Sequence, residues 1–135
     1  MRKIGGTMRT FFLLMMMFLS TTWIGCGPAN KITVKGVVKN NGGGLVADAE
    51  IRINDVSKCC SNDENPCVYK TDVSGNWKLY FNAGGYSEGA EDTYETCTYS
   101  VSKIGFATKS GSFKWCLQGK CAGEQAVSTE VALAP

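Results

Sequence analysis

The chain contains no histidine in its 135 residues. That absence excludes serine–histidine and cysteine–histidine nucleophilic sites, and every zinc set that relies on imidazole. No C-x2-C pair occurs either, so a four-cysteine zinc site lacks its usual spacing. No apolar run is long enough to cross a membrane comfortably. The longest, Phe11 to Leu19, has nine residues, which rise about 14 Å as a helix against a hydrocarbon core of about 30 Å. There is no internal repeat, no charge block and no long linker. Once residues 1–25 are set aside there is no basic excess, because Arg2, Lys3 and Arg9 go with them and leave eleven Lys/Arg against twelve Asp/Glu. Nor are basic residues interleaved with aromatics on one face, so the footprint of a nucleic-acid-binding domain is missing.

What is present begins at the N-terminus. A basic head, the run FFLLMMMFL and the polar Ser20-Thr21-Thr22 follow in the order of a secretory signal. Ile24-Gly25-Cys26 then resembles the end of a bacterial lipobox, in which the cysteine is lipidated and becomes the new N-terminus; Trp23 stands where that signal usually has an aliphatic residue. The alternative is an ordinary signal cut nearby. Lipidation supplies more than one acyl chain, enough for stable anchoring at about 0.8 kcal/mol per buried methylene. The expected division is a signal peptide over 1–25, a lipidated N-terminus and short tether over 26–31, and one domain over 32–135. A domain of that length buries about two-thirds of its unfolded surface. The expected location is the cell envelope, on its extracytoplasmic side, with Gly27 in place of Asp resembling lipoproteins sorted to an outer membrane.

Beyond Cys26 there are six cysteines: Cys59, Cys60, Cys67, Cys97, Cys116 and Cys121. In an exported chain this even number predicts a disulfide framework. Cys116 and Cys121 flank the short loop Leu117–Lys120 and form the easiest local pair. Cys67 is expected to join Cys59 or Cys60, with Cys97 taking the other. A bond between adjacent Cys59 and Cys60 is strained and disfavoured.

Strand-like alternation dominates, and no segment predicts a helix. Ile32, Val34, Gly36 and Val38 share one face of a strand. Asn40–Gly44 breaks it, since these residues tolerate a tight reversal. Ala49–Ile53 alternates again, and Asp55–Pro66 reads as a polar loop in need of a staple. Cys67–Thr71 is extended, Asp72–Asn76 a turn, and Trp77, Leu79 and Phe81 point the same way after it. A glycine-rich acidic loop is expected over 82–96, then strands over 97–102, 106–115 and 127–133, the last with Val127, Val131 and Leu133 on one face. Strands separated by glycine-rich and polar turns predict an all-β, seven-stranded antiparallel Greek-key sandwich.

Four motifs in order resemble the carboxypeptidase regulatory-like domain, a transthyretin-like family of exported bacterial proteins. They are Val34-Lys35-Gly36-Val37-Val38, the segment Leu45–Ile51, Thr71-Asp72-Val73-Ser74-Gly75-Asn76-Trp77, and Tyr99-Ser100-Val101 running to Gly105-Phe106. The resemblance covers residues 32 to 133; a cysteine-rich insertion at 57–67 and the acidic stretch at 82–96 depart from it. It implies a transthyretin-like sandwich used as a non-catalytic accessory or interaction module. The motif residues themselves have structural roles: Gly36 admits a close approach, Asp72 bonds amides in its own turn, Gly75 takes the left-handed conformation and Trp77 faces inward.

The expected function is therefore a lipid-anchored, non-enzymatic extracytoplasmic domain with no cofactor. Its expected partners are the membrane, through its lipid, and an envelope protein or carbohydrate, without nucleic acid. The alternative is an adhesion domain binding carbohydrate through Tyr80, Tyr86 and Tyr94, or a cation through Glu88, Glu91, Asp92 and Glu95. A flexible glycine-rich loop is a poor host for the rigid carboxylate pair a glycosidase needs, and the order of the acids does not match an EF-hand.

Overall fold

A computed structural model describes residues 28–60 and 67–135. Its strands are β1 (Ala29–Asn40), β2 (Glu50–Ile53), β3 (Val68–Lys70), β4 (Asn76–Gly85), β5 (Thr93–Ser102), β6 (Lys109–Gln118) and β7 (Glu124–Leu133). One sheet has the order β4-β1-β7 and the other β3-β2-β5-β6. Together they form an all-β sandwich whose core is supplied by both layers, with Ile32, Val34, Leu79 and Leu133 from the first and Ile51, Tyr99 and Val101 from the second.

Alternation dictates which residues enter that core. Along β1, Ile32, Val34, Gly36 and Val38 are buried while Lys31 and Lys35 are exposed. Along β4, Trp77, Leu79 and Phe81 are buried and Lys78 and Tyr80 are exposed. A one-residue slip in either strand would exchange the two sets, so burial itself holds the register. Gly36 pairs directly with Trp77, and a β-carbon at Gly36 would fall inside the indole. The glycine therefore gives the tryptophan a flat seat. Trp77 and Tyr99 meet edge to face at 5.1 Å, which ties the two sheets at mid-height. The turn before Trp77 is built as expected: Ser74 and Asn76 each donate a backbone N–H to Asp72 Oδ1, at 2.9 and 3.0 Å, and Gly75 has φ 72°.

Several sequence expectations are corrected. The sandwich is not wholly antiparallel, because β7 runs parallel to β1 through ten paired positions from Lys31↔Glu124 to Asn40↔Leu133. Its direction follows from β6, which ends near the start of β1; reversing from there, β7 must travel the way β1 does, with residues 41–123 as the connection. The first strand starts earlier than expected, at Ala29 rather than Ile32, and Asn30 is already 1% exposed. The loop expected over 82–96 contracts to 86–92, because β4 continues to Gly85 against Ala29 and β5 starts at Thr93 against Gln118. β6 is displaced toward the C-terminus of the 106–115 stretch, starting at Lys109 and ending at Gln118. Residues 106–108 are left to the connection. Inside the polar loop after β2 a single helical turn forms, α1 (Val56–Cys59), and carries Cys59 into the core.

Candidate functional site

All six cysteines beyond Cys26 pair with one another: Cys59–Cys97, Cys60–Cys67 and Cys116–Cys121. The choice left open by the sequence thus falls to Cys60 as the partner of Cys67. Its reason is topological. Cys59 faces inward at the end of α1, across from the inward-facing Cys97 of β5, and both are fully buried. Trp115 Nε1 donates to Cys97 Sγ at 3.2 Å, which gives the buried indole a partner inside the core. With six of the seven cysteines consumed in pairs, the chain holds no cysteine with which Cys26 can pair. Cys26 and the signal over 1–25 lie outside the described residues.

The pole where β1 begins is held by a buried polar network. Asn30 Nδ2 donates to the carbonyl of Cys116 at 2.9 Å, and its Oδ1 accepts from Gly123 N and Gln125 Nε2 at 3.1 and 2.7 Å. Gln125 presents its carboxamide to the main chain of Cys116, donating to its carbonyl at 2.8 Å and accepting from its N–H at 2.6 Å. β6 and β7 belong to different sheets, and this side chain supplies the peptide-like pairing that the open seam lacks. Farther along the seam, the Tyr99 hydroxyl lies 2.6 Å from Thr129 Oγ1, which donates to the carbonyl of Ser112 at 3.1 Å. Burial pushes the Tyr99 phenol above its ordinary 10.0, partly offset by the bond to Thr129.

The four acids of the sequence reading do not share a loop. Glu88, Glu91 and Asp92 lie between β4 and β5, whereas Glu95 is within β5 and pairs with Trp115. Asp92 Oδ1 is occupied by the backbone N–H of Lys120 at 3.0 Å. Among the described residues no group of three or more metal-ligating side chains comes together. The three tyrosines form no patch. Tyr80 projects from the outer face of β4, Tyr94 from β5 in the other sheet, and Tyr86 sits half-buried in the connection between these strands.

What the strand register does gather, and the sequence did not show, is a basic outer face on the three-stranded sheet. Lys35 stands directly opposite Lys78 across β1 and β4, and the neighbouring pair is Thr33 and Tyr80. Two adjoining hollows lie on this face, of about 770 and 570 Å³, and Lys35 and Lys78 line both. Lys70 and Asp72 reach the first; Lys31 and the half-exposed ring of Tyr80 border the second. Carboxylates stand toward the β7 edge, at Glu124 and Glu130, and Glu130 pairs with Lys39 at 3.2 Å. The signal in the sequence was the spacing of lysines 31, 35 and 39, every fourth residue and so on one face of a strand, whose meaning depends on which strand lies beside them.

No protein-family model and no curated protein matches the chain. Among solved structures it is similar to catechol 1,2-dioxygenase of Acinetobacter radioresistens, with a TM-score of 0.49 and 10% identity over 79% of this chain and 53% of that one. It is also similar to chlorocatechol 1,2-dioxygenase of Pseudomonas putida, with a TM-score of 0.49 and 13% identity over 79% and 61%. A third is 3-chlorocatechol 1,2-dioxygenase of Rhodococcus opacus 1CP, with a TM-score of 0.45 and 12% identity over 80% and 62%. The chain spans between about half and three-fifths of the length of these enzymes, and a likeness this distant carries no argument about what it does.

Proposed function

We propose that the protein is a lipid-anchored extracytoplasmic binding module, a transthyretin-like Greek-key sandwich of the carboxypeptidase regulatory-like kind, without catalytic activity. One observation carries the anchoring: three disulfides consume six of seven cysteines, and the seventh, Cys26, stands where the secretory signal meets Ile24-Gly25. Three bridges belong to an oxidising compartment, which is where such a signal delivers a chain. Support for the family reading comes from its motif residues: the Asp72 turn, Gly75 at positive φ, and Trp77 seated on Gly36. Only Gly27 and Pro28 separate Cys26 from β1, so the anchored domain sits close to its membrane with the Asn30 pole lowermost.

Mass spectrometry of membrane-extracted protein is expected to show loss of residues 1–25 and a lipid-sized addition on Cys26. Cys26→Ala is expected to release the chain or leave the uncleaved precursor. A soluble, unmodified wild-type chain would sink the reading.

A further inference from the structure

We infer that the outer face of the β4-β1-β7 sheet is a binding site for an acidic polysaccharide, with Lys35 and Lys78 holding its anionic groups and Tyr80 stacking on a neighbouring sugar ring. This deepens the reading of the protein as an extracytoplasmic binding module and rests on it for the compartment. The first observation is the pairing of Lys35 with Lys78 across β1 and β4. Their β-carbons are about 4.5–5.5 Å apart, and like charges placed directly opposite repel and destabilise a sheet. Neither ammonium has a carboxylate within ion-pair distance among the described residues, since the ion pairs are Lys39–Glu130 and Arg52–Glu50. An anion seated between them relieves the repulsion and gains both charges at once. Lys31 lies on the same face of β1, four residues and so about 13 Å away, but it stands opposite Glu124 of β7, which lines the same hollow, so the unopposed positive charge is centred on Lys35 and Lys78.

The second observation concerns shape. The face is an open shallow trough rather than an enclosed cavity, because the two hollows adjoin and share both lysines. Such a trough admits a chain passing through rather than a small molecule swallowed whole. Beside the lysines lies Tyr80, 52% exposed, opposite the small Thr33. An exposed ring flanked by a small residue and cations offers an apolar platform for the C–H face of a sugar with charge at its rim. Nucleic acid is the less favoured polyanion, because it calls for successive aromatic platforms and a basic domain. This face has one exposed aromatic, and the chain beyond the signal is slightly acidic.

The test uses the full chain as its host exports it, with polygalacturonate as the acidic probe, dextran as the neutral one and single-stranded DNA as the competing polyanion. Polygalacturonate is expected to bind and dextran not to. Binding is expected to weaken as ionic strength rises from about 0.01 M to 1 M, because the screening length falls from about 30 to 3 Å. Lys35→Gln with Lys78→Gln is expected to weaken binding about tenfold or more, and to melt at or above the wild-type temperature. Tyr80→Ala is expected to weaken it about fivefold, while Lys114→Gln, on the other sheet's outer face, changes nothing. Cys26→Ala is expected to leave affinity intact, so failure of the anchor and failure of the glycan site are read separately. Absence of polygalacturonate binding at low salt, unchanged binding by the double-lysine variant, or DNA binding as tight as polygalacturonate would each overturn the inference.

Discussion

The seat of Trp77 on Gly36 gives the sharpest test of the packing. The indole is 4% exposed, touches Tyr99 edge to face and occupies the space a β-carbon at Gly36 would take. A buried tryptophan hides roughly 200 Å², worth about 5 kcal/mol at 25 cal/mol per Å². Large-to-small replacement of a core aromatic costs about 3–5 kcal/mol. Trp77→Ala is therefore expected to cost about 4 kcal/mol, or about 20 °C in melting temperature for a domain of this size. The buried Trp77 Nε1 has no hydrogen-bond partner among the described residues, so no hydrogen bond is lost with the ring, and removal of the unpaired donor offsets part of the packing cost. Gly36→Ala forces a methyl into the ring and is expected to cost about 1–3 kcal/mol by overpacking. In the Trp77→Ala background the same methyl meets an empty space, and the cost should vanish or turn into a gain of a few tenths. Urea unfolding followed by circular dichroism at constant disulfide content measures all four corners of the cycle. Additive corners, with coupling below about 0.5 kcal/mol, would refute the seat.

Three further outcomes are expected. The raised Tyr99 phenol favours the neutral form in the fold, so its stabilisation is fully present below pH 10.0 and is lost as pH rises through the higher folded value. Alkaline melting of Tyr99→Phe should lack that component of the loss, and a wild-type decline unaffected by the substitution would contradict it. The bridges should rank by the separation they close, 38 residues for Cys59–Cys97 against 7 and 5 for Cys60–Cys67 and Cys116–Cys121; chain entropy puts these at about 4, 2.5 and 2 kcal/mol. Paired Cys→Ala variants under urea test that order, and a reversed ranking would contradict it. Asn30→Ala strands Gly123 N and part of the Cys116 carbonyl and is expected to cost about 2–3 kcal/mol. Hydrogen exchange should report it as faster exchange confined to the Gly123 end of β7, whereas uniform acceleration would point to global loosening instead.

Much of this architecture is legible in short stretches because it is local. Period-two alternation marks Ile32–Val38 and Trp77–Phe81 as half-buried strands, and Asp72 with Gly75 writes its own turn through bonds between neighbours in sequence. An even set of cysteines beyond a segment that reads as a secretory signal announces disulfides without needing coordinates. Strand ends were less legible, because Asn82–Gly85 and Thr93–Thr96 are extended only through partners on β1 and β6, and a glycine-rich acidic stretch carries no sign of that pairing.

Other features depend on which segments meet across the fold. The parallel course of β7 along β1, the choice of Cys97 for Cys59 and the use of Gln125 to close a seam between sheets are contacts between distant residues. The basic face is of the same kind. Lys35 and Lys78 are unremarkable outward residues on two separate strands, and only the antiparallel register sets them side by side. The sequence by itself determines which residues turn inward and where the chain reverses, because those follow from side-chain periodicity and backbone freedom. Tertiary structure alone decides which outward residues become neighbours, because the pairing of strands is a long-range choice made by the core beneath them.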